Sequence, residues 1–242
     1  MEAKKILIAM AAGSGTRMGT KVPKQFLNLG GELVLRRTIE TFVSAVPDIK
    51  VITVLPKEHI PFWKEYCTAS GFHCPQTLAA GGFTRFHSVR NALEKVPGGA
   101  IVAIHDGVRP LVSKELIANM FAKMESGEVR ALVPVLPTVD TLKVLDKATG
   151  ADGKETLVQA EGETADRSRI YGAQTPQMFL SEDIKEAYSQ AYDTNFTDDA
   201  SVAARKGIPL SFCKGERLNF KITAPEDLSL AEVIVSSSFG GR

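Results

Sequence analysis

Several familiar signatures are missing from this chain of 242 residues. No lysine followed by Ser or Thr closes its N-terminal glycine-rich stretch, which excludes a P-loop. Gly13 and Gly15 begin a dinucleotide fingerprint, but its third position holds Met18 and Gly19 comes one residue late. The cysteines Cys67, Cys74 and Cys213 are odd in number and form no C-x-x-C pair, so free thiols in a reducing compartment are expected. His59, His73, His87 and His105 are scattered, without zinc spacing beside any cysteine. The formal net charge is only +1, which advertises neither nucleic-acid nor membrane binding. No apolar run approaches the length of a membrane span. Lys4 and Lys5 before a short apolar run superficially resemble a secretory leader. The glycines follow at once, however, where cleavage would destroy them. The sequence therefore reads as a cytoplasmic protein whose first strand starts near residue 5.

What is present is more specific. The apolar run Ile6-Leu7-Ile8-Ala9-Met10 turns directly into Ala11-Ala12-Gly13-Ser14-Gly15-Thr16-Arg17-Met18-Gly19, followed by Pro23-Lys24-Gln25. A buried strand opening into small residues lets the backbone approach a ligand and turn free N–H groups toward phosphate oxygens. Two glycines with Arg17 and Lys24 in so short a stretch are more than a plain strand-to-helix turn needs. They point to a pocket for a nucleoside triphosphate.

A composition of 44% hydrophobic and 24% charged residues is that of an ordinary globular chain. Buried strands are expected at Ile6–Ala12, Val51–Leu55, Ala100–His105 and Ala131–Val135, alternating with amphipathic segments. Leu35, Ile39, Phe42, Val43 and Val46 keep helical spacing. Thr84 and Ser113 each stand where they would cap a helix, and helical patterns are expected again after Pro176. Thr223-Ala-Pro-Glu226 reads as a capping box opening a last helix, with Ser236–Arg242 frayed. This alternation predicts an α/β fold, a mostly parallel sheet with helices on both faces and ligands at the carboxyl ends of its strands. The pattern breaks from Pro137 to about Glu163, which reads as a long hairpin with a Gly/Asp-rich tip. A hairpin alone is marginal in water, so a second subunit is expected to cover it.

Further polar motifs follow in order. Gly81-Gly82-Phe83-Thr84-Arg85-Phe86-His87-Ser88-Val89 sets paired glycines before a helix start, where they could read the edge of a base. His105-Asp106-Gly107-Val108-Arg109-Pro110 ends a buried strand. Asp106 there suits a ribose hydroxyl or a magnesium ion, or an ion pair with Arg109 that ties down a turn. Asp140-Thr141, Asp166-Arg167, Thr175-Pro176-Gln177, Thr197–Ser201 and Asn219-Phe220-Lys221-Ile222-Thr223 complete the series.

Taken together, residues 11 to about 231 resemble the 2-C-methyl-D-erythritol 4-phosphate cytidylyltransferase family. The opening loop alone is shared by many sugar-nucleotide transferases. The full set is specific to this family and to its close relative, ribitol-5-phosphate cytidylyltransferase. The resemblance implies one Rossmann-like nucleotidyltransferase domain over 1–242, with a protruding β-arm at about 137–163 through which two subunits interlock. It implies a reaction of CTP with a sugar-alcohol phosphate in isoprenoid precursor synthesis, with Mg2+ clamping the triphosphate. Carried over by position, Arg17 and Lys24 would stabilise the transition state. Arg167 and Lys221 would hold the acceptor phosphate. Ala11, Ala12, Gly13, Gly82 and Ser88 would contact the nucleotide, and Asp106, Arg109, Thr141 and Thr175 would line the sugar-phosphate side. Two other classes compete. A nicotinamide-dependent dehydrogenase lacks its third glycine, and a turnover-free regulatory protein would have no need for both halves of a reacting site.

Overall fold

The computed structural model describes residues 3–13, 22–150, 153–160 and 165–239. The strands are β1 (Lys4–Met10), β2 (Asn28–Leu29), β3 (Glu32–Leu33), β4 (Lys50–Leu55), β5 (Gln76–Ala80), β6 (Ala100–Asp106), β7 (Ala131–Pro137), β8 (Leu145–Thr149), β9 (Glu155–Gln159), β10 (Tyr171–Ala173), β11 (Gln177–Leu180) and β12 (Ser211–Lys214). The α-helices are α1 (Val34–Ala45), α2 (Ile60–Ala69), α3 (Arg85–Leu93), α4 (Lys114–Glu125), α5 (Ser181–Ala187), α6 (Asp199–Arg205) and α7 (Pro225–Phe239).

β1 lies at the centre of a mainly parallel sheet, flanked by β4 and β6, with β5 outside β4. On the other side β11 runs antiparallel to β6 and to the start of β7. β10 continues along the same edge of β7, and β12 pairs in parallel with its far edge. Period-two alternation explains why β1 reads as an unbroken apolar run: both of its faces are covered. Leu7 and Ala9 pack with Phe42, Met120 and Phe121 from α1 and α4. Ile6 and Ile8 pack on the opposite face with Val89, Ile184 and Val202 from α3, α5 and α6. Each of the larger side chains among these contributes roughly 1.5–3 kcal/mol on burial.

The chain moves outward from β1 to β4 and β5, then crosses back to β6 on the other side of β1. This reversal opens a crevice between the carboxyl ends of β1 and β6, the place where open α/β sheets bind ligands. The register pairs Met10 with Asp106, so the start of the glycine loop and the carboxylate are neighbours.

The expected caps on α3 and α4 form. Thr84 Oγ1 accepts from His87 N–H at 3.4 Å and Ser113 Oγ from Leu116 N–H at 2.9 Å. Three local expectations are corrected. Glu226 closes no capping box; instead Asp227 accepts from Thr223 N–H, Thr223 O–H and Ala224 N–H at 2.7–2.9 Å, three bonds that a side chain one position further on can reach. The chain does not return straight to helices after Pro176, because β11 and β12 find non-local partners in β6 and β7. The last helix also continues past Ser236 to Phe239.

The expected hairpin is present as β8 and β9, paired from Leu145↔Gln159 to Thr149↔Glu155. It is shorter than the sequence pattern suggests, since Val139–Lys143 have no strand partner. Leu145, Leu157 and Val158 are exposed on it, and Val139 is exposed before it. No helix among the described residues is long and apolar enough to cross a membrane.

Candidate active site

A cleft of about 480 Å3 opens at the crevice, lined by Met10, Ala11, Ala12, Gly13, Lys24, Gln25, Gly82, Phe83, Thr84, Arg85, Ser88, Asp106, Val108 and Lys221. Its floor is the exit of β1. Ala11 N–H donates to Val54 O at 2.9 Å, prolonging the sheet by one bond. Gln25 holds the next residues: its side-chain amide donates to Ala11 O at 2.8 Å and to Gly13 O at 3.1 Å. It can do so because it sits on a short 3-10 turn, Lys24–Phe26, whose Phe26 packs against Phe62 and Trp63. The same turn delivers Lys24, 9% exposed, to the cleft. Sequence reasoning gave Gln25 no role. Its signal was its place between a cleft lysine and a core aromatic. Arg17 lies outside the described residues.

The second wall is the Gly82 loop. A Cβ on Gly82 would fall 2.5 Å from His87 Cβ, so glycine permits this close turn into α3. Gly82 N–H donates to Ser88 Oγ at 2.9 Å, and Ser88 O–H donates to Thr84 O at 2.9 Å. Ser88 thus lines the cleft and braces the loop above it.

Asp106 is the charged centre. Lys221 Nζ is 2.9 Å and Arg109 Nε 3.5 Å from its Oδ2, while Arg85 Nη2 is 3.9 Å from Oδ1. Burial pushes the carboxyl up, but Arg85, Lys221 and Arg109 outweigh burial and hold it well below the usual carboxylate range. Asp106 is therefore an anion at any working pH. Its neighbour His105 is fully buried, and burial pushes its imidazole down to about 4. His105 Nε2 lies 3.2 Å from Arg109 O, which only accepts, so a neutral ring carries its proton there. Nδ1 then accepts from Thr175 O–H at 3.0 Å, and Thr175 Oγ1 accepts from Asp106 N–H at 3.1 Å. Thr175 therefore supports the site from behind.

Lys221 is placed by its neighbours. Ile222 is fully buried and donates its N–H to Val108 O at 2.9 Å. Asn219 O accepts from Arg109 Nη1 at 2.7 Å. The structure thus brings Ala11, Ala12, Gly13, Lys24, Gly82, Ser88, Asp106 and Lys221 to one cleft, with Arg109 and Thr175 touching Asp106. It does not bring Thr141 or Arg167 there. Thr141 is exposed ahead of the hairpin, and Arg167, also exposed, donates to Val139 O at 3.2 Å. Among the described residues no three His, Cys, Asp or Glu side chains cluster as a metal site, and Asp106 is the carboxylate in the cleft wall.

Comparison with known proteins agrees with this geometry. A family model described as 2-C-methyl-D-erythritol 4-phosphate cytidylyltransferase matches residues 5–237. A protein of that name from Bacteroides fragilis is 42% identical over 228 residues, covering 94% of this chain and 98% of its own. Among solved structures, the 4-diphosphocytidyl-2C-methyl-D-erythritol synthase of Anaerococcus prevotii superposes with a TM-score of 0.76 at 26% identity, covering 98% of this chain and all of its own. The 2-C-methyl-D-erythritol 4-phosphate cytidylyltransferase of Thermus thermophilus gives a TM-score of 0.70 at 31% identity, over 98% of this chain and 100% of its own. With the match running almost end to end, this chain belongs to the 2-C-methyl-D-erythritol 4-phosphate cytidylyltransferase family.

Proposed function

We propose that the chain, acting as one catalytic domain in the cytoplasm, joins CTP to 2-C-methyl-D-erythritol 4-phosphate. The products are 4-diphosphocytidyl-2-C-methyl-D-erythritol and pyrophosphate, in isoprenoid precursor biosynthesis. The observation that carries this reading is the pairing, in one cleft, of Ala11, Ala12 and Gly13 at the end of β1 with the Asp106–Lys221 charge centre at the end of β6. The first suits a triphosphate and the second an acceptor phosphate.

In this reaction a phosphate oxygen of the acceptor attacks the α-phosphorus of CTP. The bond from that phosphorus to the β-phosphate bridging oxygen breaks, and pyrophosphate leaves with its electrons. A phosphate monoester is largely dianionic near pH 7, so the attacking oxygen needs no general base. Catalysis then rests on alignment and on compensating negative charge. Lys24 meets the triphosphate side of the cleft, and Arg17, in the same loop sequence, is assigned with it to the transition state. Lys221 holds the acceptor phosphate, and Arg167, exposed beside Val139, is assigned to the acceptor phosphate of a partner subunit's cleft. Asp106 orients Lys221 and Arg109. Ala11, Ala12, Gly13, Gly82 and Ser88 surround the nucleotide, Arg109 and Thr175 serve the sugar-phosphate side, and Thr141, exposed ahead of the hairpin, would serve that side of a partner subunit's cleft.

Nucleotidyltransferases of this kind typically use a divalent cation, which we take to be Mg2+. Asp106 suits it as a single protein ligand, because Mg2+ is commonly held by one or two carboxylates plus substrate phosphates. When bound, the ion neutralises triphosphate oxygens. A homodimer through the hairpin is proposed as well, on the exposed Val139, Leu145, Leu157 and Val158. Arg167, beside Val139, would then lie near that contact.

Pyrophosphate release with CTP and Mg2+, with methylerythritol 4-phosphate and ribitol 5-phosphate supplied in parallel, tests the assignment. A strong preference for methylerythritol phosphate is expected. Preference for ribitol phosphate would keep the mechanism and replace the acceptor.

A further inference from the structure

The Thr197–Ser201 motif has no part in the chemistry above, yet it holds a fully buried carboxylate. Asp199 is 0% exposed and accepts a two-pronged contact from Arg85, Nη1 to Oδ1 at 2.7 Å and Nη2 to Oδ2 at 2.6 Å. Tyr188 O–H donates to Asp199 Oδ1 at 2.5 Å. The tyrosine ring stacks on Phe86, the residue after Arg85, with centroids 4.7 Å apart. Gln177 ties the motif to β11, donating to Asp198 Oδ2 and accepting from Ala200 N–H, both at 2.8 Å.

Two carboxylates thus face one guanidinium, and Asp199 holds it. Arg85 Nη2 stops 3.9 Å from Asp106 Oδ1, beyond hydrogen-bond reach. Asp106 Oδ2 is already engaged by Lys221. Asp106 lines the cleft, and Oδ1 is therefore its carboxylate oxygen without a short contact to a described residue. We propose that Asp199 and Tyr188 are positioning residues that keep Arg85 off Asp106, leaving Oδ1 open to an electropositive group of the bound nucleotide, a ribose hydroxyl or its divalent cation. This inference rests on the nucleotide reading of the cleft.

The test is a calorimetric titration of CTP without acceptor, at a temperature where every variant is folded, once with Mg2+ and once with EDTA. In Asp199→Asn the neutral carboxamide no longer holds the guanidinium, and Arg85 closes on Asp106. The dissociation constant for CTP should rise about tenfold, as for loss of a hydrogen bond to a charged group. Weakening only with Mg2+ identifies the cation as the group at Oδ1, and weakening in both solutions identifies the hydroxyl. Adding Arg85→Gln removes the cation that closes on Asp106, so the double variant should bind more tightly than Asp199→Asn alone. A purely structural role for the ion pair predicts no such rescue in folded protein. Equal affinity in wild type and Asp199→Asn, or a double variant no tighter than the single one, overturns the proposal. If Asp199→Asn does not fold, Tyr188→Phe should weaken CTP about two- to threefold, as expected for one lost hydrogen bond. Unchanged affinity there overturns the proposal equally. Failure of the wild type to bind CTP would overturn the nucleotide reading instead.

Discussion

Two ion pairs of nearly equal length sit in contrasting environments in this molecule. Lys221 and Asp106 are 2.9 Å apart in the cleft, and Lys147 and Glu155 are 3.0 Å apart on the hairpin. The Asp106 side chain is 11% exposed, with two arginines also close to it. Both hairpin partners are more than half exposed, at 70% and 65%. Distance is therefore no guide to what either pair does. Around Asp106 the carboxylate is mostly buried and each charge fixes the direction of the next, so the charge cluster is organised before any ligand arrives. On the hairpin, water competes for both groups, and the apolar side chains beside them stay exposed in the single chain. The Asp106 charge cluster is held by residues of this chain, whereas the hairpin leaves apolar side chains uncovered.

The sharpest way to break the comparison is to remove a cleft cation. Lys24→Ala should lower kcat by roughly two orders of magnitude or more, as for a lost oxyanion stabiliser, in a pyrophosphate-release assay. Lys221→Ala should chiefly weaken use of the sugar phosphate while CTP binding survives. Near-normal turnover without Lys24 would sink its assignment, and loss of CTP binding without Lys221 would move that lysine to the other side of the site.

These two residues also show how much of the molecule was legible in its sequence. Lys24 was readable because it shares a short segment with the glycine loop, and Thr84 and Ser113 because caps are local chemistry. Asp106 was readable as the polar end of a buried strand. Gln25 was not, since its acceptors, Ala11 O and Gly13 O, are 14 and 12 positions away and become neighbours only in the folded chain. Asp199 lies in the Thr197–Ser201 motif, but its role is not legible there, because its partner Arg85 is 114 positions away. The same physics hid β10, β11 and β12. Short strands with partly polar faces declare themselves only through the ladders they join. The Thr223 cap was misassigned by one residue, a shift that local pattern does not resolve.

The buried end of the comparison also makes a prediction about pH. The His105 imidazole in the folded chain is pushed down to about 4, below its ordinary value of 6.5. The unfolded chain therefore binds the extra proton first, and stability falls as pH drops from 6.5 toward 4. By pH 5 this one group should cost about 2 kcal/mol, or about 4–8 °C in Tm for a chain of this size. The Asp106 carboxyl, held below its ordinary range, adds a loss only at lower pH, as acid protonates it in the unfolded chain first. A melting series from pH 7 to pH 5 checks this, and His105→Gln should flatten it. An unchanged slope in that variant would place the sensitivity elsewhere.

Removing the exposed end asks whether the hairpin belongs to the fold or to an assembly. With residues 146–158 replaced by a short Gly/Ser link, the main sheet should keep its Tm within about 4 °C, the equivalent of roughly 1 kcal/mol. Light scattering should then show a monomer where the intact chain gives the proposed dimer. A large fall in Tm for a chain that is monomeric both before and after would mean that the hairpin stabilises its own sheet.

The smallest effect belongs to the hairpin ion pair itself. Lys147 Nζ reaches both carboxylate oxygens of Glu155, at 3.2 and 3.0 Å, across a pair of strands joined in register at Lys147↔Leu157 and Thr149↔Glu155. The contact is diagonal, between two flexible side chains in high dielectric, and salt screens it further. Lys147→Ala should therefore move Tm by less than about 2 °C, and 0.5 M salt should erase the difference. If the same substitution instead weakens dimerisation severalfold at low salt, the pair is desolvated in the assembly. Lys147 and Glu155 would then owe their strength, as Lys221 and Asp106 do, to what surrounds them. The 3.0 Å separation would be the same in both cases.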